Sequence, residues 1–362
     1  MKVLPMMMHL VRPPIHHFLG GIFVGLAVGW ILFMVHKESN DTYKKFYKRR
    51  SLIDIDISLP ANNMINTSLA DQLFEDIRII CLVLTKPSDH FIKAIHIKST
   101  WGKRCTKLIF ASTQEEPVLP AIKFNIPEDR AHLWGKTKAA LKYIYENYQG
   151  QYDWVYKADD DTFAVMENLR YLLHYSNPSE PVYYGCRLKL RREGLDYMSG
   201  GAGYVLSRET LRRFVEKGLP NAMVCKQEDI GNEDVEIGKC LRGVGVHLGD
   251  SLDKERKNRF TPVFINEMLV PGVLSEVGWY VEMMTNPYLL GLKCCSDTLI
   301  STHYVKPHEL YLLEYLIYHV TPFGRAYHPV LEDHISVKRT TEEPIGEVKA
   351  SSSQRLQRND FD

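Results

Sequence analysis

Residues 152–162 read Tyr-Asp-Trp-Val-Tyr-Lys-Ala-Asp-Asp-Asp-Thr, a β-type run that ends in three consecutive aspartates. Aromatic and β-branched residues favour a strand here, and the strand stops where the carboxylates begin. In extended backbone, residues two apart project to the same side, so Asp159 and Asp161 can converge on one ligand. Two such carboxylates suit a hard divalent ion, Mg²⁺ or Mn²⁺, with diphosphate oxygens completing its shell. Read alone, the triplet could equally be a solvated acidic turn or the acidic first turn of a helix. The spacing of an EF-hand is absent, which argues against a calcium loop.

Working outward, the flanking segments alternate between strand and helix patterns. Ile77–Leu84 is a short apolar run of the kind buried in parallel sheets. A helix is expected over 89–101 with Ser88 or Asp89 as its cap, then a strand over Lys107–Ala111. Glu128–Tyr148 carries Leu133, Trp134, Ala140, Leu141, Ile144 and Tyr145 at helical spacing, and a further helix should run from Thr162 to about His174. This alternation predicts an α/β fold of right-handed βαβ units around a parallel sheet. Ligands in such sheets bind at the carboxyl ends of strands, where the aspartates lie.

Three later segments add chemistry. Tyr197–Ser207 contains Gly200, Gly201 and Gly203, which permit unusual backbone angles or close approach of a ligand, although a plain glycine turn reads equally well. No Gly-Lys-Ser/Thr follows, so a P-loop is excluded. Asn232-Glu233-Asp234 opens a helix pattern; its carboxylates are either ordinary first-turn acids or a general base at a pocket rim. His303 follows the apolar stretch Thr298-Leu299-Ile300 and is either a satisfied polar residue or a third metal ligand.

The chain of 362 residues has 45% hydrophobic and 25% charged residues and a formal net charge of +1. That is an ordinary globular balance, and it disfavours a general polyanion binder such as a nucleic-acid protein. Seven scattered cysteines lack zinc-type pairs. Cys81–Cys105 and Cys225–Cys240 are the expected disulfides, with a vicinal bridge at Cys294-Cys295 and Cys186 left over; buried free thiols are the alternative. Residues 18–35 carry no charge and as a helix would rise about 27 Å, close to the thickness of a bilayer core. Residues 1–17 are then a short cytoplasmic tail, 18–35 a signal-anchor and 36–75 a lumenal stem with sequons at Asn40 and Asn66; a cleaved signal peptide is the rival, disfavoured by the length of the run and the lack of a clear small-x-small site. The basic residues after the span oppose this orientation, while the sequons and cysteines favour it. A globular domain over 76–335 and a disordered polar tail over 336–362 complete the expected organisation.

Taken in order, Thr100-Trp101 with Arg104-Cys105, Leu133–Thr137, Lys157–Thr162, Tyr197–Ser207, Glu233-Asp234, Cys294–Asp297 and His303–Val305 resemble the inverting, metal-dependent β1,3-glycosyltransferases, and within them the core 1 β1,3-galactosyltransferase family. The resemblance covers about Arg78 to Tyr327. It implies a Rossmann-like nucleotide-sugar fold of the GT-A type, UDP-galactose as donor, Mn²⁺ as cofactor, and O-linked GalNAc on Ser or Thr of glycoproteins as acceptor. It further implies that Asp161 and His303 ligate the metal, and that Asp159 helps hold the metal or the ribose. Leu84, Glu128, Asp129, Arg130, Lys136 and Tyr304 would line the UDP site, Asp234 would be the catalytic base, and Trp279 would pack on the acceptor sugar. The chain departs from the family at Cys186, which has no partner there, and at Val281-Glu282-Met283-Met284, which replaces a more aromatic stretch. A Fringe-like N-acetylglucosaminyltransferase, or a non-catalytic chaperone on the same scaffold, is the alternative; such a chaperone lacks the acidic triplet. The expected setting is the Golgi membrane, type II, with the membrane itself, the donor, the glycoprotein acceptors and a second copy as a homodimer for partners.

Overall fold

The computed structural model describes residues 25–34, 37, 67–270, 278–285, 289 and 291–322. Its centre is a seven-stranded sheet in the order β10-β6-β9-β4-β1-β2-β3. The strands are β1 (Ile79–Leu84), β2 (Lys107–Ser112), β3 (Ala121–Lys123), β4 (Trp154–Asp159), β6 (Val182–Gly185), β9 (Tyr204–Ser207) and β10 (His247–Leu248). A three-stranded sheet joins β11 (Phe260–Thr261), β12 (Ser301–Thr302) and β5 (Phe163–Ala164), and β7 (Arg187–Leu190) pairs with β8 (Leu195–Met198) as a ribbon.

The sheet is mixed, where the sequence predicted a parallel one. β4, β1, β2 and β3 run parallel, but β9 lies antiparallel between β4 and β6. The β7–β8 ribbon and the glycine-rich turn bring the chain to β9 without a crossover helix, so it returns in the opposite sense. β1 illustrates the layering, because its residues alternate between two cores. Ile79, Cys81 and Val83 join Trp101, Tyr156 and Met166 on one face, while Ile80, Leu82 and Leu84 join Trp134, Leu141 and Ile237 on the other. All six residues of β1 are buried, as expected of a central strand covered by helices on both faces.

The helices follow the sequence pattern with local breaks. α1 (Ser68–Asp76) already packs Leu73 into the core, ahead of the boundary expected at residue 76. The expected helix at 89–101 is broken: a π-turn over His90–Ala94 leads into the short α2 (Ile95–Ser99). α3 (Leu133–Asn147) buries Trp134, Thr137, Ala140, Leu141 and Ile144 along one stripe. α4 (Met166–His174) begins only after β5 has paired. α5 (Arg208–Arg213) is capped by the Ser207 side chain, which accepts from the Thr210 N–H. α6 (Glu233–Gly243), α7 (Ile265–Leu269), α8 (Gly278–Met283) and α9 (Pro307–Tyr318) complete the set. Arg104 forks onto Glu314 of α9 with two bonds of 2.9 Å.

All three expected bridges are present, Cys81–Cys105, Cys225–Cys240 and the vicinal Cys294–Cys295, and Cys186 is a buried free thiol. Of the apolar run 18–35, residues 25–34 are helical, with Leu26, Trp30, Ile31, Leu32 and Phe33 exposed. No helix among the described residues is long and apolar enough to cross a membrane, so the transmembrane helix expected over 18–35 is not seen as such. Its ends, the sequon residues Asn40 and Asn66, and the tail at 336–362 lie outside the described residues.

Candidate active site

β1 is flanked by β2 on one side and β4 on the other, so successive connections leave it in opposite directions. A crevice opens at such a switch point beyond the carboxyl ends of the strands. Leu84 and Asp159 are register partners at those ends. Past Asp159 the chain turns, with the Thr162 N–H donating 3.2 Å to the Asp159 carbonyl, and enters β5. β5 pairs antiparallel with β12, Phe163 opposite Thr302, which delivers the next residue, His303, to the aspartates.

His303 Nε2 stands 3.1 Å from Asp161 Oδ1 and 3.8 Å from Asp159 Oδ2. One ligand atom from each of the three residues lies within 4.8 Å of the others. The other ring nitrogen, Nδ1, donates to the Pro262 carbonyl at 3.2 Å, which fixes the ring with Nε2 towards the carboxylates. Burial works against a charged imidazole, but the hydrogen bond to Asp161 and the charges of Asp159 and Asp161 outweigh it and raise the His303 pKa. The pocket therefore favours positive charge. Two carboxylate oxygens and an oriented imidazole nitrogen are a donor set that Mn²⁺ accepts, so the residues present fit the expected metal.

Asp160 points elsewhere. It accepts from Thr85 Oγ1 at 2.8 Å and from Lys93 Nζ at 3.1 Å, and burial raises its pKa to about 7 against the pull of Lys93 and Thr85. Lys93 also lies 3.7 Å from Asp161 and 3.7 Å from Asp89, so one lysine spans the outer side of the acidic tip. Sequence reasoning missed Lys93 and Thr85, because neither belongs to a recognisable string.

The glycines of the 197–207 segment make room for the protein's own side chains. A Cβ on Gly200 would lie 2.8 Å from Glu233 Oε2, one on Gly201 2.3 Å from the His303 ring, and one on Gly203 2.4 Å from the Tyr156 hydroxyl. Gly203 also has φ +74°, which an L side chain rarely adopts. The consecutive residues Gly200 and Gly201 thereby join two groups. The Gly200 N–H donates to Asp234 Oδ2 at 3.1 Å, while Gly201 underlies His303. Asp234 is half-buried in the first turn of α6, and burial raises its pKa above the ordinary carboxylate range. A carboxylate of that kind is a stronger base than one in water.

Behind this pair, Lys157 Nζ is buried and donates 2.8 Å to Asp159 Oδ1, 3.2 Å to Glu233 Oε2 and 3.4 Å to the Gly200 carbonyl. Burial opposes its charge, yet Asp159 and Glu233 more than offset that and raise its pKa. Tyr204 donates to Glu233 Oε1 at 2.5 Å. Lys157 and Glu233 lay inside quoted strings, but their pairing, 76 residues apart, left no sequence signal.

The residues expected at the nucleotide divide. Lys136 Nζ, buried, donates 2.9 Å to the Thr85 carbonyl next to Leu84 and is ion-paired to Glu128, which also accepts from Thr113 Oγ1 at 2.7 Å. Leu84, Glu128 and Lys136 thus form one group beside the strand ends. Tyr304 stacks on His303 with centroids 3.9 Å apart and sits at φ +57°, half exposed; Arg130 is close enough to oppose the rise in its pKa that burial causes. Asp129 instead caps the turn at Arg130–His132, accepting from the His132 N–H at 3.1 Å. Trp279 is 42% exposed on α8, and just past that helix Thr285 Oγ1 donates to the Arg187 carbonyl of the β7–β8 ribbon at 3.1 Å. The Trp279 ring lies beside that of Tyr280, with centroids 5.9 Å apart.

The family model described as Fringe-like matches residues 83–253, which includes both the acidic tip and Asp234. Glycoprotein-N-acetylgalactosamine 3-β-galactosyltransferase 1 of Xenopus laevis is 40% identical over 281 residues, 76% of this chain and 75% of that protein. The chain belongs to the glycoprotein-N-acetylgalactosamine 3-β-galactosyltransferase family. Some relatives match a smaller part of this galactosyltransferase-family chain. Mouse β-1,3-glucosyltransferase is 33% identical over 43% of this chain and 31% of its own length. Among solved structures, the galactosyltransferase LgtC with donor and acceptor sugar analogues aligns over 63% of this chain and 87% of its own, at 15% identity and a TM-score of 0.36, too loose to support an argument.

Proposed function

We propose that this chain is an inverting β1,3-galactosyltransferase of GT-A type. It moves galactose from UDP-galactose to the 3-hydroxyl of GalNAc on Ser or Thr of glycoproteins, with Mn²⁺ as cofactor. The observation that carries the reading is the juxtaposition through two consecutive glycines: Gly200 binds Asp234, a carboxylate of raised basicity, and Gly201 underlies His303 of the cation-ready cluster of Asp159, Asp161 and His303. A metal held there supplies Lewis-acid neutralisation of charge on the departing diphosphate. Asp234 takes the proton of the attacking 3-hydroxyl, and its bond from Gly200 orients the carboxylate for that transfer. Lys136, Glu128, Leu84, Arg130 and Tyr304 edge the donor crevice, and Trp279 receives the acceptor sugar. Holding donor and acceptor in line turns a bimolecular encounter into a near-unimolecular step.

The test is UDP release with a GalNAc-α-peptide, run with Mn²⁺ and then with chelator, against a donor panel of UDP-galactose, UDP-GlcNAc and UDP-GalNAc. Turnover with UDP-GlcNAc in preference to UDP-galactose would turn the reading to the Fringe-like alternative. No turnover with any donor would turn it to the non-catalytic one.

For location, we propose a type II protein of the Golgi membrane, anchored through 18–35 with the catalytic domain lumenal. Disulfides persist in oxidising compartments, and the three bridges support that side. Protease protection of intact vesicles tests it: digestion of the domain without detergent would reject a lumenal placement.

A further inference from the structure

We propose that Lys157 is a positioning residue that ties the cation site to the helix bearing the base, by holding Asp159 and Glu233 at once. The inference rests on the reading of Asp159, Asp161 and His303 as a cation site. Lys157 lies inside β4, where its neighbours Val155, Tyr156 and Ala158 are core residues, and it is 1% exposed. A buried ammonium persists only when paired and hydrogen-bonded. Its position, two residues before Asp159, puts both side chains on the same side of the strand.

The pairing divides the Asp159 carboxylate. Oδ1 accepts from Lys157 at 2.8 Å, and Oδ2 is the oxygen 3.8 Å from His303 Nε2. One oxygen is thus committed to the lysine and the other is presented to the cluster. The same ammonium reaches Glu233 Oε2 at 3.2 Å, and Tyr204 holds the other oxygen of Glu233 at 2.5 Å. Glu233 is the first residue of α6, and no side chain caps that helix at Asn232. Fixing Glu233 therefore fixes the first turn, including Asp234 next to it. Gly200 closes the circuit, because its carbonyl accepts from Lys157 at 3.4 Å while its N–H binds Asp234 at 3.1 Å.

The deciding experiment uses the full chain and Mn²⁺ alone, with binding read by electron paramagnetic resonance of free Mn²⁺. Lys157→Met combined with Glu233→Gln removes one positive and one negative charge, so the net charge of the site is kept and the orienting contact is lost. Its expected Mn²⁺ dissociation constant is about tenfold above wild type, the scale of losing an outer-sphere partner. Glu233→Gln alone leaves Lys157 on Asp159; Mn²⁺ affinity should stay within about twofold while kcat falls about tenfold as the first turn of α6 loosens. A double variant that binds Mn²⁺ as wild type does would overturn the proposal, and so would a single variant with wild-type kcat. Wild-type protein that binds no Mn²⁺ would overturn the underlying site reading as well, which separates the two failures. Thermal midpoints of all three proteins establish that folded chains are compared.

Discussion

Gly201 lies against the His303 imidazole so closely that a Cβ would stand 2.3 Å from Cε1 and from Nδ1. The cluster of Asp159, Asp161 and His303 therefore depends on a missing side chain in a distant segment. Gly201→Ala should displace the ring and lower galactose transfer by about a hundredfold, the cost of a misplacement near 1 Å. UDP release and Mn²⁺ binding should fall together, and a Gly201→Ala protein with ordinary Mn²⁺ affinity would refute the contact's importance.

The three aspartates should not behave alike. Asp161→Ala removes a side chain that faces His303 at 3.1 Å and should abolish Mn²⁺ binding. Asp160→Asn keeps an acceptor for Thr85 and leaves the cluster intact, so Mn²⁺ affinity should remain within about threefold of wild type. Titration calorimetry with Mn²⁺ on both variants checks the contrast, and equal losses would count against it.

Asp234→Asn should separate binding from chemistry. The amide oxygen can still accept from Gly200, so Mn²⁺ and UDP should bind normally while kcat falls about 10²- to 10⁴-fold. Near-normal kcat in the folded variant would remove Asp234 from the role of base.

Asp153 gives a pH-dependent test of the fold. Arg78 grips it with two bonds of 2.9 Å and Arg208 adds a third at 3.1 Å, tying the starts of β1, β4 and α5 together. Burial opposes its ionisation, but the Arg78 and Arg208 contacts prevail and hold its pKa below the usual carboxylate value. A depressed folded-state pKa contributes stability above the unfolded value, near 4, and that contribution is lost as pH falls through the folded one. Asp153→Asn should cost about 1–2 kcal/mol at neutral pH, and the gap in thermal midpoint from wild type should close in acid. A gap independent of pH would show that charge is not its origin.

What the sequence made legible was what is local and periodic. β1 and β4 declared themselves by apolar composition, and the acidic tip was visible because β4 ends there. The cysteine pairs Cys81–Cys105 and Cys225–Cys240 are close enough along the chain, 24 and 15 residues, to be guessed. What stayed hidden depends on long-range pairing. β5, β11 and β12 are two residues each, too short for any periodic signal, yet they carry His303 to the aspartates. The two-residue period set Asp160 apart from Asp159 and Asp161, but its partners Thr85 and Lys93 left no signal of their own. The glycines were legible as special, but their reason was not, since the side chains they admit come from Glu233, His303 and Tyr156.

Cys81 lies in the middle of the central strand and is wholly enclosed, and Cys105 is nearly so. In the closed sheet Cys81 is shut away from solvent, so oxidant reaches that sulfur only before the strands close or when they open locally, which favours early thiol oxidation in the maturation of this molecule. A chain assembled first and oxidised afterwards would keep two sealed thiols at the heart of the sheet until such an opening.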